Sequence, residues 1–267
     1  MDRAWGRRVV LAAVAALGIA GVTASAIMAP GLSPEGGFGH AVAAAQPSPP
    51  HPERWAGAKR AVASLADTPA PTLIATLSAA TPYSASPGGQ PTGTLPATNP
   101  FGAPEVFAVV GQPDPSGWLQ VELPIRPNGS LGWIPAAGVT LTQTTYRVVV
   151  NRAADTLTVF NGTDQVTQFP AAVGKPSSPT PAGNTYLWEL IRPDNPNGAY
   201  GPYIFGLAWF SDTYATFNGG NAQIGIHGQD EPWSVGHPVS HGCVRLDNSA
   251  ITQLAGLLPL GTPVTIS

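Results

Sequence analysis

Three patterns of apolar residues follow one another along this chain. Residues 9–34 form an uncharged run rich in Ala, Val, Leu, Ile and Gly, with Arg3, Arg7 and Arg8 just ahead of it. At about 1.5 Å per residue such a run is long enough to cross a bilayer core as a helix. Positive charge ahead of it favours keeping the N-terminus in the cytoplasm and exporting the rest. Ala24-Ser25-Ala26 supplies an A-x-A site, so residues 1–34 fit a cleaved signal peptide or an uncleaved membrane anchor. Residues 35–71 read as a linker. Its Gly-, Ala- and Pro-rich part, 36–52, has no apolar period and cannot bury enough surface to fold. Trp55, Ala58, Val62 and Leu65 then share one face of a short predicted helix over 53–66.

Beyond residue 72 the apolar runs shorten to strand length. Strands are predicted at 73–77, 106–110, 118–123, 131–135 and 139–141, bounded by Gly, Pro, Asn and Asp. The intervals are too short for crossover helices, so residues 72–142 are expected to form a small antiparallel barrel. A second β-rich region, 146–267, begins with strands at 146–151, 156–160 and 165–169. Asn161-Gly162 marks the last two as a hairpin, since both residue types tolerate positive φ. A rigid Gly- and Pro-rich loop over 174–183 precedes further strands at 185–190 and 223–226. Residues 193–223 read as a long loop of lid type, rich in aromatics, most of them packing the core and one or two at most facing a ligand. At the end, a helix over 249–258 is capped by Asp247 or Asn248, with Ile251, Leu254 and Leu258 on one face. Pro259 stops it before a last strand at 264–266.

Composition narrows the picture. Charged residues are 10% of the chain, while Gly and Pro number 31 and 30, which favours turns and short strands over long helices. A net charge of −3 without a basic stripe argues against a nucleic-acid partner.

Cys243 is the only cysteine, so it has no disulfide partner within the chain. Its neighbours are Ser240, His241, Gly242 and Arg245, and Ile226-His227-Gly228 lies upstream. A free thiol is only a few per cent ionised at neutral pH, so a cysteine nucleophile needs an imidazole beside it. His227, at a strand end, and His241, two residues from the thiol, are both candidates, and the sequence does not rank them. The amides around Gly242 and Cys243 are candidates for an oxyanion hole, and a helix starting just after Cys243 favours the thiolate. Arg245 suits either a substrate carboxylate or a structural salt bridge. Asp230 and Glu231 receive no role. A zinc site of Cys243, His241 and His227 lacks a fourth ligand and Cys-x-x-Cys spacing, and the polar, glycine-rich surroundings argue against an inert buried thiol.

Two resemblances sharpen this. Gly117-Trp118-Leu119-Gln120-Val121 followed by Gly132-Trp133-Ile134-Pro135 resembles a bacterial SH3-like domain, which implies cell-wall peptide binding as an alternative to simple packing for Trp118 and Trp133. Ile226-His227-Gly228, fifteen intervening residues, and Ser240-His241-Gly242-Cys243-Val244-Arg245-Leu246 resemble the L,D-transpeptidase (YkuD) family, as does Gly174-Lys175-Pro176 with Pro179-Thr180-Pro181-Ala182-Gly183. This second resemblance implies a mainly β chain with a β-sandwich-like catalytic domain. It makes Cys243 the nucleophile and His227 the proton donor and acceptor, oriented by the Gly228 carbonyl. Ser240, His241, Gly242 and Arg245 would line the site and position substrate. The implied substrates are peptidoglycan stem peptides, joined 3→3 through a thioester, with carbapenem-type inhibitors acylating the same thiol and no cofactor or metal required. Water as acceptor would instead give an L,D-carboxypeptidase, and a protein acceptor a wall-anchoring transpeptidase. A catalytically silent wall-binding protein is the alternative outside enzymology. Each fits an exported protein of the cell envelope.

Overall fold

The computed structural model describes residues 70–267. The expected export segment and the linker helix lie outside the described residues. The fold is mainly β, with a single α-helix among the described residues.

Seven strands build an N-terminal β-module: β1 (Thr72–Leu77), β2 (Thr81–Ser84), β3 (Pro91–Leu95), β4 (Val106–Ala108), β5 (Trp118–Glu122), β6 (Leu131–Pro135) and β7 (Val139–Thr144). They form one sheet of order β4-β1-β7 and another of order β3-β2-β6-β5. Every pairing is antiparallel. Ala75, Leu77, Phe107, Leu119, Val121 and Ile134 fill the space between them. β2 and β3 carry Thr, Pro, Ser and Gly and lack apolar alternation, so they were not expected. Tyr83 holds them together by lying over Gly93, where a Cβ would sit 2.7 Å from its ring. Trp118 and Trp133 are half-buried and belong to neither main hydrophobic cluster.

The rest of the chain adds β8 (Tyr146–Asn151), β9 (Thr156–Asn161), β10 (Asp164–Pro170), β11 (Val173–Gly174), β12 (Gly183–Ile191), β13 (Ile204–Phe210), β14 (Gln223–His227), β15 (Pro238–Ser240), β16 (Val244–Arg245), α1 (Asn248–Leu257) and β17 (Pro263–Ile266). Eight of these strands form one mixed sheet, β10-β9-β8-β17-β12-β13-β14-β16, and β11 pairs with β15. β12 is the fold line. Its first residues, Gly183 to Tyr186, pair with β17, and Leu187 to Ile191 pair with β13. The two halves enclose a core of Val148, Leu157, Leu187, Phe205, Ile226 and Leu246, with Ile251 and Leu254 from α1. Fully burying each such side chain contributes about 1.5–3 kcal/mol.

Three expectations change. Residues 193–223 are not one loop, because β13 runs through them and buries Phe205, Trp209 and Phe210; its Ile-Phe-Gly-Leu-Ala-Trp-Phe run has no polar alternation because it is covered on both faces. In the β9–β10 hairpin only Gly162 takes a positive φ, 59°. Asp247 occupies the helix cap position without a side-chain cap bond. Asn248 instead accepts the Gln229 N–H at 2.8 Å, tying α1 to the segment after β14.

The β-module packs on the same face of the large sheet that carries the site described below. Tyr186, Trp188 and Ala208 from β12 and β13 join the module's own core. Trp188 Nε1 donates to Glu105 at 2.8 Å, Tyr186 Oη donates to the Glu122 carbonyl at 3.2 Å, and Trp209 Nε1 donates to the Glu122 carboxyl.

Candidate functional site

The site starts from one register. β14 and β16 run parallel, with Ile226 opposite Val244 and His227 opposite Arg245. Side chains alternate across a strand. Ile226, Val244 and Leu246 therefore enter the core, while Gly225, His227, Cys243 and Arg245 face the other way. They meet in a cleft of about 470 Å³, where Tyr200, Tyr214 and Phe217 are wall residues.

Cys243 is partly buried, and the Gly225 N–H donates to its Sγ at 3.4 Å. Burial pushes the thiol pKa up, opposed by that amide and then by the positive Arg245. A helix-terminus field does not prevail here: four residues, 244–247, separate Cys243 from α1, and desolvation dominates.

His227 is buried, and its Nδ1–H donates to the Gly228 carbonyl at 2.5 Å. That bond sets the tautomer and leaves Nε2 with its lone pair. Desolvation lowers the imidazole pKa to about 4, against the Gly228 bond, with Arg245 adding to the lowering. The Tyr200 ring meets it edge-on, 5.0 Å between centroids. Gly228 cannot carry a side chain, since a Cβ would lie 2.3 Å from Asn248 Oδ1 and 3.0 Å from the Gly201 Cα.

Ser240 organises the turn before the thiol. Its Oγ donates to the Cys243 carbonyl at 2.5 Å and accepts the Gly242 N–H at 3.1 Å. The Gly242 amide, an expected oxyanion donor, is thus already engaged. The Ser240 carbonyl accepts the Lys175 N–H at 3.0 Å, and Gly174 pairs with Ser240 across β11 and β15. The proline-rich loop wraps so tightly over Gly174 that a Cβ there would lie 2.3 Å from the Thr180 nitrogen.

His241 sits at the surface. Lys175 Nζ donates to its Nε2 at 3.2 Å, and its ring packs against Phe217 and Tyr214 at centroid distances of 5.2 and 6.3 Å. Desolvation first, then Lys175 and Arg245, holds its pKa below the ordinary value. Arg245 pairs with Glu231 at 3.0 Å, so the acid given no role from sequence is the partner of the arginine. The pair is partly exposed and worth about 0–1 kcal/mol.

The cleft therefore joins Cys243, His227, Gly228, Ser240, His241, Gly242 and Arg245, either as lining or as support, while Trp118 and Trp133 are not among its lining residues. Sequence reasoning missed others. Three aromatics of 193–223 line the cleft, one more than expected, and Phe101 of the N-terminal module and Glu189 of β12 join them. Long-range pairing creates these positions, and no local pattern marks them. In the described residues no cluster of His, Cys, Asp and Glu suited to a metal is found.

Residues 145–266 match the family model described as YkuD, L,D-transpeptidase catalytic domain. A putative L,D-transpeptidase YkuD of Bacillus subtilis (strain 168) is 35% identical over 122 residues, which is 46% of this chain and 66% of the relative. The chain thus spans just under two thirds of that relative's length. A probable L,D-transpeptidase YbiS of Escherichia coli (strain K12) is 42% identical over 72 residues, covering 27% of this chain and 18% of the relative. Among solved structures, an L,D-transpeptidase from Mycobacterium smegmatis aligns with a TM-score of 0.37 at 20% identity, over 61% of this chain and 90% of that one. L,D-transpeptidase 3 from Mycobacterium tuberculosis, solved with a faropenem-derived adduct, aligns at 0.39 and 17% identity, over 61% and 91%.

Proposed function

Because residues 145–266 are an L,D-transpeptidase catalytic domain of the YkuD family, we propose that this protein is an exported cell-envelope enzyme that cross-links peptidoglycan stem peptides through a thioester on Cys243. One observation carries the residue roles. The β14–β16 register places His227, with a free Nε2, and the Cys243 thiol in the same cleft. His241 is the weaker base, since its Nε2 already accepts from Lys175.

The thiol pKa is raised and the imidazole pKa lowered, so both groups rest neutral. His227 then acts as a general base rather than as half of a standing ion pair. Cys243 Sγ attacks the carbonyl carbon that joins diaminopimelate to the terminal D-Ala, and its proton passes to His227 Nε2. The carbon–nitrogen bond breaks, and the same proton leaves with the D-Ala amine. The side-chain amine of a second stem attacks the thioester and yields a proton to Nε2. Loss of the carbon–sulfur bond releases the sulfur, which recovers that proton. The product is a 3→3 cross-link. Gly242 contributes its amide to the oxyanion only if that N–H leaves Ser240 Oγ. Arg245, opposite His227, offers its guanidinium to a stem carboxylate in exchange for Glu231.

Muropeptide analysis with purified enzyme and defined tetrapeptide stems tests the reading. A tetrapeptide–tripeptide dimer is expected, with free D-Ala; tripeptide alone identifies a carboxypeptidase. Cross-linking by C243A would overturn the thioester. A carbapenem or penem is expected to add its mass to Cys243 and not to C243A. For export, a C-terminal reporter that works only outside the cytoplasm is expected to be active.

A further inference from the structure

One buried group in the cleft is unused by this mechanism. Glu189, on β12, is 1% exposed and belongs to the cleft lining. It lies opposite Gly206, and Gly206 lies opposite Gly225, whose amide touches the thiol. The carboxyl reaches over Gly206, where a Cβ would sit 2.5 Å from Oε1. Gly206 and Gly225, on strands about 4.8 Å apart, step from Glu189 toward Cys243, and the Gln223 amide lies over Gly206 beside the carboxyl. Oε2 has no hydrogen-bond partner. Glu105 is a second negative group acting on Glu189, and its Oε2 is also unpartnered. Among the described residues the sole ion pair is Arg245–Glu231, so neither acid has a cationic partner. Burying unpaired acids is costly. The cleft is also polarised, with Lys175 and Arg245 at one edge and this acid in the floor.

Resting on the stem-peptide reading above, we propose that Glu189 is the counter-ion for a substrate ammonium group, the free side-chain amine of a diaminopimelate residue. Burial raises the Glu189 pKa to about 7, with Gln223 opposing and Glu105 adding to the shift, so an arriving ammonium draws the group into its charged form.

The test is calorimetric and needs no turnover. Stem tetrapeptide, with its side-chain amine free or acetylated, is titrated into C243A and into C243A/E189Q. The free amine is expected to bind C243A roughly tenfold or more tightly than the acetylated form, and E189Q is expected to erase that difference. Equal binding of the two forms by C243A, or a preference that survives in C243A/E189Q, overturns the proposal. Repeating the titration with a tripeptide ending in diaminopimelate, which has no D-Ala to lose and serves only as acceptor, distinguishes donor from acceptor. Discrimination seen for both assigns the amine site to both. Thermal midpoints of the two variants verify folding, and removing an unpaired buried charge is expected to hold or raise them. Absence of cross-linking by the wild type sinks the transpeptidase reading while leaving this binding result standing on its own.

Discussion

His227 and Cys243 owe their protonation states to burial, and this makes the acid side of the pH profile informative. With the imidazole pKa lowered to about 4, His227 remains a free base well below the ordinary histidine range. The rate of penem acylation is expected to lose its acid limb near pH 4. A limb near 6.5 would mean that an exposed histidine is the base. The same shift has a stability consequence of definite sign. The unfolded histidine binds a proton at higher pH than the folded one, so this residue's contribution falls as pH drops from about 6.5 toward 4. Gly228 is the second residue-scale test. A Cβ there would strike Asn248 Oδ1 and crowd Gly201, moving the carbonyl that orients the imidazole. G228A is expected to lower the acylation rate by roughly a hundredfold with Cys243 still present to mild alkylation.

At the scale of elements, the two sequence motifs are physically one. The Gly174–Gly183 loop closes on Ser240, and Ser240 holds the carbonyl of Cys243. The segment 211–222, which bears Tyr214 and Phe217, is held from the other side by the N-terminal module. Arg126 donates to the Ser211 and Tyr214 carbonyls at 2.8 and 2.9 Å and to that of Asn221 at 3.3 Å, and Asn128 bonds both the N–H and the carbonyl of Phe210 at 2.8 Å. R126A is expected to raise the KM for stem peptide by about tenfold, as loss of charge-assisted hydrogen bonds allows. Alkylation of Cys243 by iodoacetamide is expected to change by less than about twofold, because the β14–β16 register is untouched. An equal fall in both rates would show that Arg126 supports the whole fold instead.

Across the whole molecule, buried acids join the N-terminal module to the large sheet. Burial raises the Glu122 pKa to about 7, against the bond from Trp209, and Glu189 reaches about 7 as well. A carboxyl whose folded pKa is raised stabilises fully below its unfolded pKa, near 4.5, and that contribution is lost as pH rises through 7. Thermal midpoints are therefore expected to fall between pH 5 and 8, after allowing for His227, which acts in the opposite direction below 6.5. E122Q keeps an acceptor for Trp209 and is expected to flatten the decline. An unchanged slope would mean that Glu122 does not titrate in this range.

Local pattern was enough for the mainly β character, most strand positions, the α1 helix and a lone thiol with two candidate imidazoles, while the choice of His227, oriented by Gly228, came from the family resemblance. Strand runs, turn residues and short motifs are properties of adjacent residues, and a thiol among glycines and histidines is conspicuous in any fold. The strands β2, β3 and the run of β13 through a presumed lid escaped notice, since their stability comes from partners far along the chain. Tertiary structure alone decided that His241 faces solvent beside Lys175, that Glu231 neutralises Arg245, and that Ser240 occupies the Gly242 amide. It also brought Glu189 to the cleft floor, Phe101 to its wall and Arg126 onto the backbone of the 211–222 segment. Each of these depends on register and on burial, which set distance and desolvation, and neither quantity is written in the order of residues around Cys243.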